Sequence, residues 1–423
     1  MIRKPILIII TFITLTIITI AKPIRRLNIK TRKISDKVFQ KIKENIGTYR
    51  PDKNYNKITN GHGTGLIPPS EDDWKRLRSK IKVISKLSQS VIDTLPSSVD
   101  WTKSQYFPPI GNQGSQGSCS AWPTAYYIKT FQEAIENDWD LSDARWDTVN
   151  REPTQEYQNK IASPAFVYNQ INLGTNGAML PVALELISNM GVCSWKEMPY
   201  NENDFIRWPS ENAYINAPSL RSKNIYYFNK ESEDFINNVK NMIHSGNLLT
   251  VGIHSENIFE ITTLSNYEGT WSNHLCTIVG YDDNKSYKEN GETIQGAFKV
   301  ANSWGPNWSK DGCFWISYKL LKEGNLEINT IVDRINYSPS QLAAFKINHN
   351  NRGDCSISIS MNTNSGKFVN NELWGPFAKH SSDTNSFPNN TIILDISDFH
   401  LNNHDIQNFI LTVLDGGSYE TGS

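Results

Sequence analysis

From Gly111 to Gly117 a glycine recurs at every third position, and the run ends on Ser118-Cys119 just before an apolar, aromatic stretch. This fixes a loop feeding a helix, predicted over Cys119 to Asn137, with a thiol at the junction. Unpaired backbone N–H groups and the helix dipole favour thiolate there. Gln113, six residues upstream, can turn its amide toward the same point. With the Cys119 backbone N–H it would give two donors for a developing oxyanion. A cysteine at a helix start is by itself more often structural than catalytic; the surrounding loop shifts that balance.

A reactive thiol needs a base. In Asn273-His274-Leu275-Cys276-Thr277-Ile278-Val279-Gly280-Tyr281 a histidine heads an apolar strand, and none of the other seven histidines does so. A second segment, Val300-Ala301-Asn302-Ser303-Trp304-Gly305, supplies an amide. Asn302 can accept from one imidazole nitrogen and leave the other for sulfur, and Trp304 can shield the pair from water. Taken alone, His274 reads as a hydrogen-bonded structural residue and Asn302 to Gly305 as a turn with a core tryptophan.

Together these segments resemble the papain family of cysteine peptidases: NQGSxGSC, then NHxxxxVGY, then NSWGxxW followed by Asp311 to Ile316. The run Gly174 to Gly191, ending at Pro199-Tyr200, is similar to the family's substrate-cleft glycines, the helix after them and its PY signature. The resemblance covers about Leu95 to Tyr318. It implies an α+β, two-lobed fold, helical then β, with the active-site cleft between the lobes. It also implies peptide hydrolysis through a Cys119 thioester, with Gln113, His274 and Asn302 in the roles above and Gly177, Ala178, Met179, Leu180 and Trp304 against substrate. No metal or cofactor is called for.

The sequence departs from the family in places. Gln116 and Thr175 stand where the family carries a bridged pair of cysteines, which suggests that the bridge was lost and its two positions remained neighbours. Ala178 replaces a cleft glycine. Pro123 falls in the first turns of the nucleophile helix, where it removes a hydrogen bond. His274 and Asn302 lie 155 and 183 residues after Cys119, and the polar hairpin Asp282 to Gly296 absorbs part of that length.

Charge divides the chain further. Residues 22–95 hold 18 Lys+Arg against 7 Asp+Glu, whereas residues 96–423 hold 22 against 36. A basic leader thus precedes an acidic body. Helices are expected at Lys33 to Asn45 and from Ser70, the second with Trp74, Leu77, Ile81 and Ile84 as its stripe. The leader reads as a removable prosegment that inhibits the body. Its few aromatics argue against nucleic acid as a partner, and protein or peptide substrates are expected instead. Ahead of it, Arg3-Lys4 and the 16-residue apolar run Ile6 to Ala21 read as a secretory signal peptide, short of the about 20 residues of a bilayer span; an uncleaved anchor is the other reading. The five cysteines contain no CxxC pair, so zinc spacing is absent.

The division expected is therefore 1–21 signal peptide, 22–95 prosegment, 96–338 catalytic domain and 339–423 a small C-terminal all-β domain. Helices are expected at Ser163 to Leu173 and Leu180 to Met190, and strands after Asn224. The C-terminal unit is open between a carbohydrate- or surface-binding module, a folding aid and an export element. Two rival functions use the same fold: an acyltransferase or exopeptidase with the same triad, and a non-catalytic binding protein.

Overall fold

The computed structural model describes residues 55–69, 81–84, 92–269, 271–352 and 385–398 in full, and the backbone of strands at 6–11, 14–19, 22–27, 355–363, 368–371 and 406–415. The expected helix Lys33 to Asn45 and the start of the second leader helix lie outside the described residues. Where that second helix was expected to continue, Ile81–Ile84 is instead a strand, paired parallel with Ser222–Phe228. Alternation outside a sheet edge suits these four residues as well as a helical stripe does, and a neighbouring strand decides it.

Helices and strands segregate along the chain. Pro164–Ile171 starts on Ser163, whose hydroxyl accepts from Phe166 N–H, and Leu180–Met190 ends on Gly191 at φ 81°. These pack with the nucleophile helix around Trp122, Tyr126, Phe166 and Leu184, all buried. The later half builds one sheet in the order Ile261–Thr262, Cys313–Ser317, Glu292–Ala301, His274–Glu289, Leu249–Ile253, Ile328–Asp333, Ser222–Phe228, Ile81–Ile84, with Ser98–Asp100 on a side branch. The region after Asn224 is not purely β. Phe235–His244 is a helix whose Phe235, Val239 and Ile243, four residues apart, are buried against the sheet.

The strand His274–Glu289 is the wall between two cores. Leu275 and Val279 face the helical core, while Cys276 and Ile278 face the β core, as a period of two requires. Its first residue, His274, is thereby delivered to the seam between the lobes. The polar excursion Asp282 to Gly296 is the far end of the hairpin that this strand makes with Glu292–Ala301.

The helix after Cys119 begins later than the sequence pattern suggests. Cys119 lies in a turn, Ala121 caps, and Trp122–Lys129 is π-helical before Thr130–Glu136 becomes α. Pro123 accounts for the late start, since a helix from Cys119 would need the Pro123 N–H to bond Cys119 C=O. At its place near the first turn, Pro123 loses nothing, because those N–H groups have no partner inside a helix. Thr124 Oγ1 donates to Ser120 O at 2.7 Å.

The C-terminal strands form two sheets. Gln341–Phe345 pairs antiparallel with Ile392–Asp395 and parallel with Ile6–Ile10, and Ile6–Thr11 pairs with Thr14–Thr19. Cys355–Thr363 lies between Phe368–Asn371 and Ile406–Asp415. The first of these sheets is no free-standing module. Leu342, Phe345, Ile393 and Leu394 join the helical core. Arg221, 3% exposed, bonds Asp395 at 2.6 Å and Asp398 at 2.7 Å, Arg334 grips Asp398 with two bonds of 2.7 Å, and Tyr337 donates to Asp395. Among the described residues no helix is long and apolar enough to cross a membrane.

Candidate active site

Cys119 is buried, and the backbones of Leu275 and of Cys119 itself favour its thiolate against that burial. The thiol therefore lies against the first residues of the strand that starts with His274. His274 Nε2 is 2.8 Å from Asn302 Oδ1. Ser303 N–H donates to the same Oδ1 at 2.8 Å, so that atom is an acceptor and Nε2 carries the imidazole proton. Nδ1 is buried with no hydrogen-bond partner, which leaves its lone pair for a thiol proton. Cys276 Sγ also approaches Asn302 Oδ1, at 3.7 Å.

Gln113 is held on three sides. Its N–H donates to Ser303 O at 2.8 Å, Ser303 Oγ donates to its Oε1 at 2.6 Å, and Tyr200 Oη donates to its carbonyl at 2.8 Å. That leaves Nε2 as the outward donor. It reaches Gln116 O at 2.8 Å and Gly63 O at 3.0 Å. The second acceptor belongs to the leader.

Residues 55–69 cross the site as a strap. Gly63 N–H donates to Gly114 O, Leu66 N–H to Asn273 O, and Ile67 N–H to Ala178 O, while Ala178 N–H donates to Gly65 O at 2.9 Å. Leu66 thus makes a parallel bridge with Ala178. Contact is so close that a Cβ at Gly65 would run into Gly117 backbone, and one at Gly177 into the Gly65 carbonyl. Both glycines have positive φ, 99° and 127°, which a larger residue disfavours. Of the cleft residues expected from the sequence, Gly177 and Ala178 touch the strap directly, and Met179 and Leu180 are buried behind them at the head of the helix Leu180–Met190. Leu66 comes within van der Waals reach of the space a Cβ would fill at Gly252.

Trp304 lies between two imidazoles. His274 stacks on it at 4.7 Å and His62 of the strap at 5.3 Å, and its Nε1 donates to Gly63 O at 3.2 Å. Under this cover Cys119 and His274 are fully buried, and their protonation follows. Burial pushes the Cys119 thiol up to about 12. Burial also pulls His274 down to about 4, against the Asn302 hydrogen bond and with help from His62. His62 is lowered by its own burial and by the Arg151 guanidinium, against its bond to Asn112. The Cys119 thiol and the His274 imidazole are thus both neutral while the strap is on.

Sequence reasoning missed several partners. Ser303 sits inside the NSWG segment and could have been assigned as Gln113's anchor. Tyr127 donates to Asn302 O at 2.7 Å and accepts from Gly111 N–H, and no local pattern marks it. Gln116 turns its amide to Asn201 O and Glu202 O. The four cysteines with described side chains, Cys119, Cys193, Cys276 and Cys313, are free thiols. Among the described residues the acidic group Glu133, Glu136 and Asp333 is the one cluster of ligand type, and Lys129 fills it, bonding Glu133 and Asp333 at 2.9 and 2.5 Å.

The model of the family described as "Papain family cysteine protease" matches residues 95–332. Zingipain-2 of Zingiber officinale is 25% identical over 224 residues, 52% of this chain and 86% of that protein. Thiol protease aleurain of Arabidopsis thaliana is 22% identical over 301 residues, 68% of this chain and 74% of that one. Among solved structures, xylellain, a cysteine protease from Xylella fastidiosa, aligns over 66% of this chain and 97% of its own with 22% identity and a TM-score of 0.47.

Proposed function

Since the chain belongs to the papain family of cysteine proteases, and is a cysteine peptidase, we propose that it cuts peptide bonds through a thioester on Cys119, with His274 as base and then acid, and that its own leader holds the site shut. The observation that carries this reading is the His274–Asn302 bond, which directs an unpartnered Nδ1 to the side away from the amide. The Cys119 proton passes to Nδ1 as sulfur attacks the substrate carbonyl carbon. The carbonyl oxygen takes the negative charge, facing Gln113 Nε2 and the Cys119 N–H. Collapse breaks the C–N bond, and the leaving amine takes the proton from His274. Water, deprotonated by His274, then releases the acid and frees the thiol.

The strap supports the inhibitory reading. Gly63 O uses the donor that the substrate's carbonyl oxygen needs, and Gly65 to Ile67 use the Ala178 backbone that an extended peptide would bond. Gly177, Ala178, Met179 and Leu180 are then the substrate wall and Trp304 the lid over His274. Leu66 on that wall favours substrates with an apolar side chain there; each buried methylene contributes about 0.8 kcal/mol, so selectivity is broad. The basic excess of the leader falls mostly on residues outside the described ones. In the strap, Lys57 lies over the Trp271 ring at 5.9 Å, and uncharged hydrogen bonds from backbone groups and from the Gln113 and Trp304 side chains hold it.

Export as a precursor is the second part of the proposal, supported by Arg3, Lys4 and the apolar run after them. Removal of that run would strip Gln341–Phe345 of its parallel neighbour, so the N-terminus of the secreted chain decides it. For the chemistry, a peptide electrophile offered to the processed enzyme should label Cys119, as read by mass spectrometry of the digested adduct. Labelling of Cys193, Cys276 or Cys313 instead would overturn the assignment.

A further inference from the structure

A directed chain of hydrogen bonds runs beneath the proposed oxyanion site. Trp122 Nε1 donates to Ser118 Oγ at 3.2 Å, Ser118 Oγ and Tyr200 Oη are 2.7 Å apart, and Tyr200 Oη donates to Gln113 O at 2.8 Å. An indole N–H can only donate and a carbonyl can only accept, so the direction is fixed at both ends. Ser118 must donate to Tyr200, whose single proton goes to Gln113. Chains of this kind polarise each link in the same sense.

The three residues tied together are the ones that set the geometry of the site. Trp122 opens the π-helical turn, Ser118 precedes Cys119, and Gln113 carries the side-chain donor. The 199–202 segment adds a second hold on the same loop, since Ser115 N–H donates to Glu202 Oε2 at 2.6 Å and Glu202 pairs with Arg151. Gly114, between the two holds, has φ 62°, and a Cβ there would strike Glu202 and Arg151. No disulfide braces this loop, because Gln116 offers no sulfur.

We propose that Tyr200 is a positioning residue for peptide hydrolysis, its hydroxyl fixing the side-chain donor of Gln113 at a set distance from the Cys119 backbone donor. The inference rests on the oxyanion role proposed for Gln113. Tyr200 does not touch substrate. Without its hydroxyl the Gln113 carbonyl loses its partner, the 113–114 peptide keeps only the Gly114 N–H bond to Asn112 Oδ1 at 2.9 Å and can tilt about it, and Nε2 drifts from the place where charge develops. Because the loss falls on the transition state, it should appear in kcat rather than KM.

The test is a double-mutant cycle on the full-length chain, every variant processed identically and assayed on a fluorogenic peptide amide. Tyr200→Phe should lower kcat about tenfold with KM changed less than about twofold. Gln113→Ala should lower kcat about 10²-fold, and adding Tyr200→Phe to it should cost less than about twofold more. Equal losses from Tyr200→Phe in both backgrounds, or an unchanged kcat, would overturn the proposal. If Gln113→Ala is itself silent, the oxyanion assignment falls and the Tyr200 role with it. Should Tyr200→Phe not fold, Ser118→Ala breaks the same chain from its other side. It removes the donor to Tyr200 but leaves the Tyr200–Gln113 bond, so it should show a smaller kcat loss with the same dependence on Gln113, and additivity there would refute the idea equally.

Discussion

The carbonyl oxygen of Gly63 sits 3.0 Å from Gln113 Nε2, so a leader residue occupies the side-chain donor proposed for the oxyanion. The fit around it is tight enough to be broken by one methyl group. Gly65→Ala would set a Cβ against Gly117 backbone at a φ of 99°, with no room on the Gly177 side. The strap should lift. We predict that thiol alkylation of Cys119 in the full-length variant becomes at least about tenfold faster than in the parent. A rate equal to the parent's would show that the strap does not control access.

Acid should loosen the strap. His274 and His62 both have their pKa lowered while covered, His274 to about 4. A group lowered in the covered state favours cover when it is neutral and opposes it when it must be charged. Cover is therefore complete above the ordinary histidine pKa of about 6.5 and is lost as pH falls toward about 4. Alkylation of Cys119 after a brief acid exposure should rise through that window. His62→Phe keeps the stack on Trp304 without the charge, and should move the acid limb to lower pH. A profile flat from pH 7 to 4 would exclude these histidines as the trigger.

The C-terminal clamp should outlast that opening. Burial alone would push Asp398 up, but hydrogen bonds from Arg334 and the charges of Arg221 and Arg334 hold it down at about 2. Its stabilising charge is thus present above the usual carboxylate pKa and is lost only as pH falls toward about 2. Arg221→Ala would leave Asp395 buried with Tyr337 as its remaining polar side-chain partner, at a cost of about 3–5 kcal/mol. We expect a lower unfolding midpoint and early proteolysis after Tyr337. An unchanged midpoint would mean that the C-terminal sheet folds apart from the helical lobe.

Much of this architecture was legible in the residues, and the exceptions are physical. Leu180–Met190 and Pro164–Ile171 were readable because apolar spacing, caps and prolines agree within each segment. Cys119, His274 and Asn302 could be picked out because three short motifs each keep one chemical group at a loop–element junction, and the fold brings His274 and Asn302 to 2.8 Å. The start of the nucleophile helix was misplaced by three residues, because the missing N–H of Pro123 matters only once helical bonds are counted. Ile81–Ile84 was misread because four residues fit either period and only Ser222–Phe228 beside them decides. The docking of Ile392–Asp395 on the helical core could not be read at all, since Arg221 and Asp395 are 174 residues apart. The partners of Tyr200, noted only as part of a signature, and of Tyr127 escaped for the same reason: a hydroxyl's partner is set by the fold.

In the proposed chemistry Asn302 orients the imidazole and does not react, so Asn302→Ala should cost less than loss of Cys119. We expect a fall of about 10- to 10²-fold in kcat, with KM held and the acid limb of the rate profile shifted, because Asn302 raises the His274 pKa. A loss as deep as that of Cys119→Ala would give Asn302 a direct chemical part.

The central claim is that one sulfur does the chemistry. Three other described thiols are buried in the same fold, and Cys276 lies within 3.7 Å of Asn302, so the claim can fail in a specific way. The decisive measurement is turnover of a peptide amide by the processed chain carrying Cys119→Ala, beside Cys276→Ala. The first should lose more than about 10⁴-fold in kcat/KM, while the second should stay within about tenfold of the parent. Substantial turnover without Cys119, or its collapse without Cys276 in a folded protein, would contradict the account.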